Sequence, residues 1–112
     1  MIAHVRVFRP GQQGFTKLTF HNLGAPPSYQ ELRAIVEPLL DDANLEHVSV
    51  LYEGKPRDMF VDEVGMIKRL PRNEEATAIY RAYWLQQHPN EAPESLPAIY
   101  GVAVLFEERV WA

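Results

Sequence analysis

Residues 2–8 alternate, with Ile2, His4, Arg6 and Phe8 on one side and Ala3, Val5 and Val7 on the other, which predicts a strand with Val5 and Val7 toward the core. Arg9-Pro10-Gly11 ends it, because proline removes a ladder donor and glycine permits a turn. Residues 15–20 alternate less cleanly and predict a second strand, and residues 22–27 form a loop punctuated by Gly24, Pro26 and Pro27. Ser28 and Glu31 then have the spacing of a capping box. Leu32, Ile35, Val36, Leu39 and Leu40 follow at helical spacing. Pro38 interrupts this stripe, so the helix is expected to end near Glu37 or to kink there. Residues 41–44 are the exit.

A third strand is predicted over 47–52, with Val48, Val50 and Tyr52 on one face. Residues 53–56 form a turn into a fourth, antiparallel strand over 58–62. A second turn over 62–65 precedes a short fifth strand over 66–70. Asn73, after Pro71 and before Glu74 and Glu75, is a good N-cap. Ala76, Ile79, Tyr80, Tyr83, Trp84 and Gln87 share one side of the helix it opens, and His88-Pro89-Asn90 stops it. After a loop over 91–97, the most apolar run, 99–106, reads as a central strand, and Val110 and Trp111 as a final edge strand. The fold class expected is α+β: one domain over 1–112, a mainly antiparallel sheet of five or six strands, and two helices packed on one face.

The segments Met59-Phe60-Val61-Asp62-Glu63-Val64-Gly65, Leu70-Pro71-Arg72-Asn73, Ala76-Thr77 and Ile99-Tyr100-Gly101-Val102-Ala103-Val104 carry a resemblance. Across residues 45–106 the chain resembles a family of domains of unknown function, widespread in bacteriophages, plasmids and bacterial genomes. The resemblance implies a shared fold and an origin in a mobile element. It implies no reaction. The chain departs from the family pattern at Asp62, where many members have asparagine, and at residues 38–41, where the helix ends without glycine.

Composition narrows the chemistry. The 112 residues contain no cysteine, which excludes disulfides, thiolate catalysis and cysteine-ligated metals and fits a reducing, cytoplasmic setting. The N-terminus lacks the apolar run of a secretory leader, and the apolar run at 98–106 is far shorter than the ~20 residues of a membrane helix. A soluble protein without membrane partners is expected. The net charge of −4 disfavours a dedicated duplex-DNA binder. The charge is uneven, however: Arg6, Arg9 and Lys17 occupy the first thirty residues, and all 15 acids follow from Glu31 onward.

Two candidate sites result. Asn73 and Thr77, one turn apart at a helix N-terminus with Arg69 and Arg72 nearby, suit an anion; the alternative is that Asn73 caps and Thr77 packs. Asp62 and Glu63 suit a hard cation or proton transfer; the alternative is a hairpin turn in which Asp62 bonds its own backbone. His4, His21, His47 and His88 show no metal-ligand spacing, and no nucleophile, phosphate-loop or dinucleotide motif occurs, so no catalytic residue, metal or cofactor is assigned. Tyr80, Tyr83 and Trp84 suit the core or a subunit interface better than base stacking. The reading favoured is a non-catalytic binding or accessory module acting on a protein partner or on itself as a homodimer. The alternatives are nucleic-acid binding through the basic N-terminal end with Lys68, Arg69 and Arg72, and an enzyme on a small substrate.

Overall fold

The computed structural model describes residues 1–40 and 44–111. Five strands, β1 (Ala3–Phe8), β2 (Thr16–Phe20), β3 (Leu45–Tyr52), β4 (Lys55–Asp62) and β5 (Ala103–Phe106), form one sheet in the order β2-β1-β5-β4-β3. Every pairing is antiparallel. The helices are α1 (Tyr29–Leu39) and α2 (Glu74–Gln87), and a short 3-10 turn covers Pro93–Ser95. The fold is α+β, and among the described residues no helix is long and apolar enough to cross a membrane.

The helices do not share a face of the sheet. Leu32, Ile35, Val36 and Leu40 of the α1 region pack on Ala3, Val5, Val7, Phe60, Val104 and Phe106. Ala76, Ile79, Tyr80 and Tyr83 of α2 pack on Val50, Met59, Val61, Ala103 and Leu105. Adjacent strand residues point to opposite faces, so Val104 and Leu105 belong to different cores and the sheet lies between the two helices. The central strands therefore need apolar residues on both sides, which explains the unbroken burial of Ala103–Phe106. Each such side chain taken from water adds about 1.5–3 kcal/mol.

Local chemistry accounts for most boundaries. Glu31 N–H donates to Ser28 Oγ at 3.1 Å, and Glu31 accepts from Ser28 N–H at 2.9 Å and Gly24 N–H at 3.0 Å. Those backbone donors, Ser28 first, hold the Glu31 carboxyl below the usual carboxylate range. Pro38 does not end α1 at Glu37: the helix runs two residues further, to Leu39, with the proline inside it. The ring removes the bond to the Ala34 carbonyl, but both residues are exposed, and Leu40 N–H closes the last turn on the Val36 and Glu37 carbonyls. The exit expected over 41–44 lies, except for Asn44, outside the described residues.

The β3–β4 hairpin is tighter than the four-residue turn expected. Tyr52 pairs with Lys55, leaving Glu53 and Gly54 at φ of 52° and 76°. Two successive positive φ angles match the right-handed strand twist. Pro56 is tolerated in β4 because β5 pairs only with Asp58, Met59 and Phe60, so no ladder donor is missing.

Two predicted strands do not form. Residues 66–69 are turns and Leu70 is outside any strand, and residues 110–111 follow β5 as a coil whose N–H groups bond the Asp58 carboxylate. The central strand is also shorter than 99–106. Gly101, at φ 85°, breaks the extended backbone, and residues 99–101 serve instead as a docking rail for the β4–α2 connection.

Candidate functional site: a pinned loop between two clefts

The connection from β4 to α2 folds into consecutive turns. Asp62 is buried at the end of β4, accepting Val64 N–H at 2.9 Å on one oxygen and the Lys68 ammonium at 3.0 Å on the other. Lys68 N–H reaches the Val64 carbonyl at 2.9 Å, and Leu70 N–H reaches that of Gly65 at 3.0 Å. The base of the loop pairs with the rail: Gly101 N–H donates to Pro71 O, and Asn73 N–H to Ile99 O, both at 2.8 Å.

Two glycines permit this close approach. A Cβ on Gly65 would stand 2.6 Å from the Tyr100 carbonyl oxygen, and one on Gly101 would stand 2.8 Å from Leu70 Cδ1. Gly101→Ala meets both the positive φ and that contact, so a loss of about 1–3 kcal/mol is expected in urea unfolding. A loss below about 0.5 kcal/mol would show that loop and rail are not packed as described.

Asn73 locks the joint. Its amide donates to the carbonyls of Phe8 at 2.8 Å and Gly101 at 2.9 Å, while its oxygen accepts Ala76 N–H at 3.0 Å. Thr77 Oγ1 accepts Ile99 N–H at 2.9 Å and donates to Ile99 O at 3.4 Å. One side chain thus ties β1, the rail and α2 together.

Of the residues expected to hold an anion, Asn73 and Thr77 are buried with their polar atoms bonded to backbone. Arg69 and Arg72 are exposed, and Arg72 lies 3.0 Å from Glu74. The structure does not bring the four onto one open surface. Of the turn acids, Asp62 is buried and ion-paired, and Glu63 is exposed.

The tip of the loop presents Met66 and Ile67, 69% and 78% exposed. A cleft of about 250 Å³ beside it is lined by Glu46, Val48, Asp62, Glu63, Met66, Tyr80 and Tyr100, among others. Burial, and then the nearby Glu46, raises the pKa of the Tyr80 phenol. A second concavity of about 460 Å³ is lined by Pro10, Leu40, Asp62, Lys68, Leu70, Pro71, Gly101 and Val102. Asp62 is common to both, so its bonds to Val64 and Lys68 brace the ridge between them.

Folding sets two of the three cations of the N-terminal end, Arg6 and Lys17, against acids. Glu107 follows central β5, and Arg6 Nε lies 3.2 Å and Lys17 Nζ 3.5 Å from it. Arg6 also meets Glu53 at 2.6 Å and lies over the rings of Phe15 and Tyr52. Burial alone would raise the Glu107 carboxyl, but Arg6 and Lys17 outweigh it and hold the pKa low. Arg9 bonds Thr16 Oγ1 at 3.1 Å.

The histidines are scattered. His4 meets Glu108 at 2.7 Å, His47 meets Asp58 at 2.8 Å, His88 stacks on Trp84 at 4.5 Å, and His21 is exposed. Among the described residues, no three His, Asp or Glu side chains gather as a metal would require. Tyr80 and Tyr83 pack on the sheet, whereas Trp84 lies between His88 and Glu91, donating to the latter at 2.6 Å.

Sequence reasoning missed the Asp58 cluster. Asp58 is fully buried and accepts His47 Nε2 at 2.8 Å, Val110 N–H at 2.8 Å and Trp111 N–H at 3.0 Å, while His47 stacks on Trp111 at 4.7 Å. The available signal was an acid at the head of a nearly continuous apolar run, Asp58-Met59-Phe60-Val61. Compared with models of known families, with curated proteins and with solved structures, the chain finds no match.

Proposed function

We propose that this chain is a non-catalytic binding module that engages a protein partner through the loop over residues 63–70. The observation that carries this reading is the exposure of Met66 and Ile67 on a loop held at both ends. Exposed apolar side chains gain about 1.5–3 kcal/mol each when a partner covers them. A loop already ordered by Asp62, Gly65 and Leu70 loses little entropy on binding. Apolar anchors beside concave surfaces are the usual form of an interface hot spot. The resemblance across residues 45–106 supports an accessory protein of bacterial or phage origin, and the absence of cysteine supports action in the cytoplasm. Nucleic acid is the weaker candidate partner, because Arg6, Lys17 and Lys68 each lie against an acid.

The test is site-specific cross-linking from position 67 in a bacterial lysate, alongside the double variant Met66→Ser/Ile67→Ser. Stability of the variant is expected to stay within about 0.5 kcal/mol of the parent. Affinity for a partner cross-linked at this loop is expected to fall tenfold or more, about 1.4 kcal/mol. Unchanged affinity in a normally folded double variant would refute the assignment.

A further inference from the structure

Strand β2 is an edge of the sheet, and among the described residues no strand lies beside its outer backbone groups. Edge strands are commonly protected by a lysine that projects over the open side. Here the only charged side chain of β2, Lys17, leans inward across β1, its ammonium 3.5 Å from Glu107 at the end of β5. Beside the same edge lies a groove of about 570 Å³ between β2 and α1, lined mostly by apolar side chains that include Leu18, Phe20, Ile35 and Leu39. An unpaired edge flanked by an apolar groove is the arrangement that accepts an added strand.

The sequence of β2 selects the occupant. Thr16-Lys17-Leu18-Thr19-Phe20 is self-complementary about Leu18 when two copies run antiparallel across a twofold axis. That register pairs Thr16 with Phe20 and Lys17 with Thr19, brings Leu18 against Leu18, and uses all five residues. Leu18 and Phe20 stay on the α1 face, where they are half-buried, and Lys17 and Thr19 on the other, where they are exposed. Sliding by two residues one way sets Lys17 directly against Lys17, and the other way loses a pair at each end. Only the register centred on Leu18 faces each lysine with a neutral hydroxyl and keeps all the strand pairs.

We infer that β2 is a homodimerisation edge, joining two copies of this chain into one continuous ten-stranded sheet with β2 antiparallel to β2. This stands independently of the partner-binding loop, which occupies a different connection of the fold.

The test is light scattering and sedimentation equilibrium over a series from about 10 μM to about 1 mM. It compares the full chain with Thr19→Lys, Thr19→Glu and the Met66→Ser/Ile67→Ser variant, with circular dichroism confirming the fold of each. Thr19 is exposed in the single chain, so both charge variants retain the monomer fold. Thr19→Lys sets like charges opposite each other twice and is expected to weaken dimerisation about fivefold or more, and Thr19→Glu to tighten it by a similar factor. Both effects should shrink at high salt, and the loop variant should dimerise like the parent. A monomer across the whole series, identical dimer constants for the two Thr19 variants, or loss of dimer only in the loop variant would each overturn the assignment.

Discussion

Asp58→Ala is expected to lower folding stability by roughly 3–5 kcal/mol, among the largest effects available to a single substitution here. The carboxylate is fully buried and accepts from the His47 ring and from the N–H groups of Val110 and Trp111. Alanine leaves those two N–H groups without their acceptor, that of Val110 buried and that of Trp111 partly so, and a buried orphan costs about 1–3 kcal/mol. It also frees the coil after β5 from the sheet, exposing Val110, unstacking Trp111 from His47 and breaking its edge-on contact with Phe60. Domains of this size have only about 5–15 kcal/mol of stability, so a third or more could be removed. Urea unfolding measures the loss, and hydrogen exchange at residues 110 and 111 localises it. Asp58→Asn, which keeps an acceptor oxygen, should fall between alanine and the parent. A loss below about 1 kcal/mol for the alanine variant, with no gain in exchange at 110 and 111, would mean that Asp58 does not hold this segment.

Asn73 yields the second large effect, and its three roles can be separated. As an N-cap alone, asparagine and aspartate are nearly equivalent, and alanine would cost about 1 kcal/mol. The structure adds two donated bonds, to the carbonyls of Phe8 and Gly101, inside a site that is 1% exposed. Asn73→Ala is therefore expected to cost roughly 2–4 kcal/mol, the cap together with the two orphaned carbonyls. Asn73→Asp should be at least as damaging despite keeping the cap, because a carboxylate cannot donate and would face two carbonyl oxygens. Thermal and urea unfolding of both variants decide the matter. An aspartate variant as stable as the parent would reduce Asn73 to a simple cap.

The joint around Asn73 shows where a local reading stops. Asn73 as cap of α2 is legible because its acceptor contact lies three residues away, at Ala76. Its other two partners lie 65 and 28 residues away, and no local pattern identifies them. The Lys68–Arg69–Arg72 run reads as a basic site along the chain, yet Lys68 turns back to Asp62 and Arg72 lies against Glu74. Residues 66–70 were expected as a strand from their apolar start, but the segment folds back on itself, with Lys68 N–H bonded to the Val64 carbonyl and Leu70 N–H to that of Gly65. The apolar pair Met66-Ile67 is left outside, where it becomes the proposed binding surface.

By itself, the sequence determined what near neighbours control. Alternation placed β1 and the core of β3, the turn after Tyr52 placed β4, and an unbroken apolar run placed the central β5; the Ser28–Glu31 box and Asn73 started the helices. These signals arise from contacts within a turn or along one strand, so they survive without knowledge of the rest of the chain. Tertiary structure alone decided that the helices cover opposite faces, that Pro38 lies within a helix, and that Asp58 anchors the chain after β5. It also offset part of the charge asymmetry of the chain, because the antiparallel order brings Glu107 beside Arg6 across about a hundred residues. Strand order and helix face follow from burying apolar surface on both sides of one sheet at once, and that is a property of the whole chain rather than of any segment.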